Sequence, residues 1–152
     1  EQIVAKKKEL YIDLSKKKKL MFYPGVENMI YALSKKLPLA IVTAGHKDQL
    51  EQTVPEKFLK LFSVVVCGDM TSENKPSPVP YQTACQLLQI EPGNSVVVEN
   101  APLGVQSALS AGCYCIAVTS TCSFVELSPA HEIVEKVTDI FQTSILKNFE
   151  AN

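Results

Sequence analysis

The run SVVVENAPLGVQSALSAG, from Ser95 to Gly112, changes periodicity midway. Val96, Val97 and Val98 have no polar residue between them, so they read as a strand buried on both faces, as in a parallel sheet covered by helices. Glu99 and Asn100 put a carboxylate and an amide where that strand leaves the sheet, and Pro102 and Gly104 rule out its continuation. Val105, Ala108, Leu109 and Ala111 then recur at helical spacing, and Gly112 suits a left-handed C-terminal cap. Ligands of open α/β sheets bind beyond the carboxyl ends of the strands, which makes Glu99 and Asn100 the first site candidates.

The same alternation extends in both directions. Residues 2–18 read as an amphipathic helix, Tyr23-Pro24-Gly25 as a break, and residues 26–36 as a helix with Val26, Ile30 and Leu33 inward. Leu39 to Val42 reads as a strand ending at Thr43-Ala44-Gly45, and residues 46–61 as a helix interrupted at Pro55. Val64 to Cys67 reads as a strand ending at Gly68-Asp69. A proline-rich loop carrying Lys75-Pro76-Ser77-Pro78 leads to a helix over 81–88. Beyond Gly112, residues 114–118 predict a strand, 133–137 a weak strand and 141–149 a last helix. Strands alternating with helices give the α/β class: one parallel sheet, Rossmann-like, with helices on both faces and right-handed crossovers.

Composition narrows the function classes. The 152 residues, 46% hydrophobic and 20% charged, suit one globular core. A net charge of -1 and a pI near 6.2 give no general basic field for nucleic acid or an anionic membrane. Lys6 to Lys8 and Lys16 to Lys19 form two clusters that read as the wet face of a helix or as a basic patch. No apolar run approaches the ~20 residues that cross a bilayer, and no signal peptide is visible. The five cysteines include no CxxC pair. Cys113 and Cys115 are expected on opposite faces of a strand, so the cysteines read as reduced, small core residues of a cytoplasmic protein.

Thr43, Asp69, Lys75, Glu99 and Asn100 all fall at or just past the ends of successive strands, so a parallel sheet would gather them on one rim. Their chemistry suits phosphate. A threonine hydroxyl and the backbone N–H of Ala44 can hold phosphate oxygens, and Lys75 can neutralise charge developing on a phosphoryl group. Glu99 and the Asn100 carbonyl are hard oxygen donors suited to Mg²⁺. Each has a plainer reading alone: Thr43 as a helix cap, Lys75 as a solvated loop residue, Glu99 as a charge at a helix start, His46 as a solvated histidine. The ordered set is harder to assign to those roles.

The succession YPGV (Tyr23 to Val26), IVTAG (Ile41 to Gly45), NKPSPVPY (Asn74 to Tyr81) and VVVENAPLGVQSALSAG (Val96 to Gly112) resembles the haloacid dehalogenase superfamily, in particular its β-phosphoglucomutase-like phosphatases and mutases. The resemblance implies a Rossmann-like core over residues 20–152, with residues 1–19 the remnant of the last cap helix. It implies Thr43 and Lys75 as catalytic residues, Thr43, Ala44, Gly45, His46 and Lys75 as the substrate-binding set, and Glu99 with Asn100 as the Mg²⁺ site.

Two departures from the family pattern matter. Asn100 stands where many relatives have aspartate, and a neutral amide weakens Mg²⁺ binding. The D-x-D-x-T strand that carries the nucleophile does not occur. Asp13, in LYIDLS, has Ser15 where the second aspartate belongs, and neither Asp69 nor Asp139 lies in a D-x-D arrangement. The expectation is the core of a Mg²⁺-dependent phosphohydrolase or phosphomutase for a small phosphorylated metabolite. It would be inactive alone, because its aspartyl-phosphate forms on a residue outside this chain. The alternatives are a non-catalytic phosphate-binding module and a regulatory or interaction protein. With the first strand missing, the strands ending at Thr43 and Glu99 either pair directly or are separated by another chain or an upstream segment.

Overall fold

The computed structural model describes residues 21–147. Both lysine clusters, Asp13 and the 1–19 segment lie outside the described residues.

The chain alternates as its periodicity requires. Helix α1 (Val26–Ser34) buries Met29 and Leu33, with Val26 and Ile30 packed beside them. Strand β1 (Ala40–Val42) is followed by two short helices, α2 (Lys47–Thr53) and α3 (Glu56–Leu59), separated at Pro55 as expected. Strand β2 (Val64–Val66), helix α4 (Val79–Leu88), strand β3 (Val96–Glu99) and helix α5 (Pro102–Ser110) come next. Strand β4 (Tyr114–Val118), the short helix α6 (Phe124–Leu127) and strand β5 (Glu132–Val134) complete the pattern. The sequence reading gave no helix at α6, although Ser123 and Glu126 form a reciprocal capping box there. The helix expected over 141–149 is absent from its described part. A 3-10 turn over Val137–Gln142 stands before it, and Thr143 ends that turn in an extended conformation.

All strand pairs are parallel, but they form two sheets rather than one: β1–β2, and β3–β4–β5. The inner edges of β1 and β3 do not pair with each other, so among the described residues a slot separates the half-sheets. The valines of β3 depart from the expectation. Val96 and Val98 are 36% and 40% exposed, on the face opposite Val97, which packs into the layer of Tyr81, Cys85 and Cys115.

Two apolar layers sandwich the larger sheet. Cys113, Cys115 and Ala117 point to one side with Tyr81, Cys85, Val105 and Ala108. Tyr114 and Ile116 point to the other, with Met29, Leu33 and Ile140. Cys113 and Cys115 thus share a face, contrary to expectation, because side chains two apart in a strand point the same way. All five cysteines are free, and all but Cys122 are buried. Helix α4 packs on β1 and β2 and also touches α5, so one helical layer holds the half-sheets together.

The turn from α5 to β4 rests on Gly112, whose φ of +86° is the left-handed conformation read from the sequence. A Cβ there would meet nothing closer than 3.8 Å, so only the backbone conformation penalises a side chain. Gly112→Ala should lower the unfolding free energy by about 1–2 kcal/mol. Urea titration of both proteins measures this, and equal stability would contradict the assignment.

Candidate functional site

The rim at the carboxyl ends of the strands is assembled by one lysine. Nζ of Lys75 donates to the carbonyl oxygen of Val42, the last residue of β1, at 3.1 Å. It also pairs with Oε1 of Glu99, the last residue of β3. Thr43 follows Val42 directly, so Thr43, Lys75 and Glu99 come together across the mouth of the slot. The lysine loop is fastened from beneath by Ser107 of α5, whose buried hydroxyl donates to the Ser77 carbonyl at 2.6 Å.

The Thr43 loop is fixed at several points. The Thr43 N–H joins the sheet through the Val66 carbonyl at 2.9 Å, and the Gly45 N–H donates to Thr43 Oγ1 at 3.0 Å. That bond leaves the Thr43 hydroxyl proton available to a ligand. Gly68 N–H donates to the Gly45 carbonyl at 2.9 Å, and a Cβ on Gly68 would lie 2.4 Å from the Ala44 oxygen. The two loops can interlock only with glycine at that position. Asp69 extends the clamp: its Oδ1 accepts the Lys47 N–H at 3.2 Å, and its Oδ2 lies 3.8 Å from His46 Nδ1. Asp69 therefore joins the Thr43–His46 loop rather than the Lys75–Glu99 pair. Helix α2 starts at Lys47, not at Ala44, and runs for only 7 residues.

Glu99 is saturated. Oε1 accepts from Lys75 and, at 2.6 Å, from the buried Tyr81 hydroxyl. Oε2 accepts from the N–H groups of Asn100 and Ala101 at 3.0 and 3.3 Å. Burial works to raise the Glu99 pKa, but the Lys75 ammonium and these hydrogen bonds outweigh it and hold the carboxyl below its usual value. The carboxylate lies against α5 at Gly104, where a Cβ would fall 2.1 Å from Glu99 Cδ. Burial, with Glu99 beside it, raises the Tyr81 hydroxyl far above its ordinary pKa and keeps it a donor. Burial, again with Glu99 nearby, pushes the Cys115 thiol up to about 12, so it is no nucleophile at neutral pH.

Asn100 is held by Thr121: its Nδ2 donates to Thr121 Oγ1 at 2.9 Å, and Thr121 Oγ1 donates back to the Asn100 carbonyl at 3.1 Å. The residues expected to hold Mg²⁺ do not by themselves fit it. Glu99 is neutralised by an ammonium and fully bonded, and Asn100 brings no charge. Among the described residues, no three His, Cys, Asp or Glu side chains gather as a metal cluster. A dication here needs further carboxylates.

Sequence reasoning singled out Thr43, Ala44, Gly45, His46, Asp69, Lys75, Glu99 and Asn100. It missed Tyr81, Gly104, Ser107 and Thr121, which hold those residues in place. Tyr81 lies in the first turn of the helix that follows the lysine loop. That proximity was the only signal for it.

The depressed pKa of Glu99 carries a pH dependence. The unfolded chain takes up the proton first, near pH 4.3, so this contribution is complete above that pH and is lost as pH falls through the lower folded value. The stability gap between wild type and Glu99→Gln should be constant from neutral pH to about pH 5 and narrow below about pH 4.3. Denaturant unfolding across that range measures it; a gap that widens in acid would contradict the sign.

Comparison with known proteins bears on the whole arrangement. Residues 1–118 match the haloacid dehalogenase-like hydrolases. Validoxylamine A 7'-phosphate phosphatase of Streptomyces hygroscopicus subsp. limoneus is 32% identical over 118 residues, covering 76% of this chain and 55% of that protein. Hexitol phosphatase A of Escherichia coli is 31% identical over 134 residues, covering 88% of this chain and 62% of that protein. This chain thus spans roughly half to three-fifths of the length of these relatives. A crystal structure of a CbbY mutant from Rhodobacter sphaeroides, in complex with xylulose-(1,5)bisphosphate, superposes with a TM-score of 0.77 at 25% identity. It covers 89% of this chain and 63% of that one. By that match over most of its length, the chain belongs to the haloacid dehalogenase-like hydrolases.

Proposed function

We propose that this chain is the core of a phosphohydrolase or phosphomutase acting on a small phosphorylated metabolite, and that its nucleophile arrives on a strand inserted between β1 and β3. The observation that carries this reading is the Lys75 ammonium at the mouth of the slot, shared between the Val42 carbonyl and Glu99. Both flanking strands are parallel members of their own sheets, and among the described residues their inner edges are unpaired. An extended segment running parallel to both would satisfy those edges and make one continuous sheet. The segment belongs either to the same polypeptide upstream or to another chain.

In the completed site, the Thr43 hydroxyl and the Ala44 N–H hold phosphoryl oxygens, and the Gly45–His46 turn faces the rest of the substrate. Lys75 leaves Glu99 to neutralise the phosphoryl charge. A carboxylate on the inserted strand attacks phosphorus, the ester P–O bond breaks, and the leaving oxygen takes a proton from a second acidic residue of that strand. Water then attacks the acyl phosphate, releasing inorganic phosphate and the free carboxylate, or in a mutase a substrate hydroxyl takes the phosphoryl group. Were an inserted strand to bring further carboxylates beside Glu99 and Asn100, those residues together would hold the Mg²⁺ that the family relationship implies, and the ion would supply electrostatic stabilisation of phosphoryl charge.

The relatives' substrates, a validoxylamine phosphate and hexitol phosphates by name, support a phosphorylated small molecule as ligand. No described helix is long and apolar enough to cross a membrane. Five free cysteines fit the reducing cytoplasm. The second reading, a phosphate-binding module without chemistry, is favoured by the closed Lys75–Glu99 pair and the neutral Asn100.

Turnover of p-nitrophenyl phosphate with Mg²⁺ separates the two. The chain alone should be inactive, and a version carrying an upstream strand ending in D-x-D should turn over, with Lys75→Ala lowering its kcat at least about 100-fold. Turnover by the chain alone would overturn the placement of the nucleophile. Inactivity of the extended protein, with phosphate binding intact, would favour the binding module.

A further inference from the structure

Nζ of Lys75 gives two of its three N–H donors to Val42 and Glu99, so a phosphoryl group meets its full charge only as Glu99 releases it, and that release is costly as the pair stands. The ammonium and carboxylate side chains are 14% and 8% exposed, so withdrawing one leaves the other buried beside a vacant partner. Tyr81 touches both members. Its hydroxyl donates to Glu99 Oε1 at 2.6 Å, and its ring lies 4.8 Å from Lys75 Nζ. Tyr81 is itself 6% exposed and packed into the core beneath the rim, so it cannot follow the lysine outward.

Resting on the phosphate-site reading, we propose that Tyr81 is a positioning residue that lets Lys75 change partners. When the ammonium moves to an anion, Glu99 keeps the Tyr81 hydroxyl and the Asn100 and Ala101 N–H groups as donors. Without the hydroxyl, Oε1 would have Lys75 alone, and the lysine would be held against Glu99. The aromatic face offers the cation a second contact while it is between partners. Tyr81 thus sets how much of the lysine's charge reaches a bound phosphate without touching the phosphate itself.

Phosphate affinity measured calorimetrically on this chain tests the idea, with inorganic phosphate as the probe and a double-mutant cycle as the readout. Tyr81→Phe keeps the ring and should weaken phosphate binding about tenfold. Glu99→Gln releases the lysine and should bind phosphate at least as tightly as wild type. Tyr81→Phe on the Glu99→Gln background should then have no effect, an outcome that a merely structural tyrosine would not give. Wild-type affinity in Tyr81→Phe, or an unchanged loss on the Glu99→Gln background, would overturn the inference alone. If Tyr81→Phe does not fold, weaker phosphate binding by Glu99→Gln still overturns it. Binding that is absent in wild type or unaffected by Lys75→Ala would overturn the phosphate-site reading itself.

Discussion

Two half-sheets, whose facing edges are unpaired among the described residues, are held in register at their functional end by the Lys75 ammonium. It accounts for a β1 carbonyl that has no strand partner on that side and for a buried carboxylate at the end of β3. Neither group could stay where it is without a donor, because a buried acceptor without a partner costs about 1–3 kcal/mol, and more when charged. The surrounding residues support that arrangement. Ser107 ties down the lysine loop, Gly104 makes room for the carboxylate, and Tyr81 holds it from the core side.

The site is therefore preorganised at its base and open at its centre. The Thr43 loop is locked to β2 by the Gly68 contact and the Asp69 clamp, which leaves the Thr43 hydroxyl proton free for a ligand. Among the described residues, the centre has the Lys75 charge but no carboxylate beyond Glu99 for a dication, and no strand between β1 and β3. Both deficits fall in the same slot, so a single inserted strand bearing acidic residues would correct both. This coincidence connects the fold to the proposed chemistry.

Much of the architecture was legible because it depends on local pattern. The shift from consecutive valines to helical spacing after Glu99 gave β3 and α5, and Gly112 gave the turn. The rim residues were legible because strand ends are places the sequence marks with glycine, proline and isolated polar groups. What could not be read depends on long-range pairing. The exposure of Val96 and Val98 follows from what packs on their face of the sheet, which a run of valines does not encode. Gly104 read as a strand breaker, yet its place under Glu99 emerges only when α5 folds back over β3. Tyr81 stood only at the end of NKPSPVPY and the start of a helix, and its hydroxyl acquires a role only through a carboxylate 18 residues away.

The central claim is that Lys75 and Glu99 form one coupled, buried unit on which the rim depends. A stability double-mutant cycle with Lys75→Met, Glu99→Gln and the double variant, at neutral pH and by urea unfolding, tests it most directly. The expected result is that the double variant loses less than the sum of the singles, with a coupling energy above about 1 kcal/mol. Additivity within about 0.5 kcal/mol would mean that the two residues act independently, and the account of the site would be wrong.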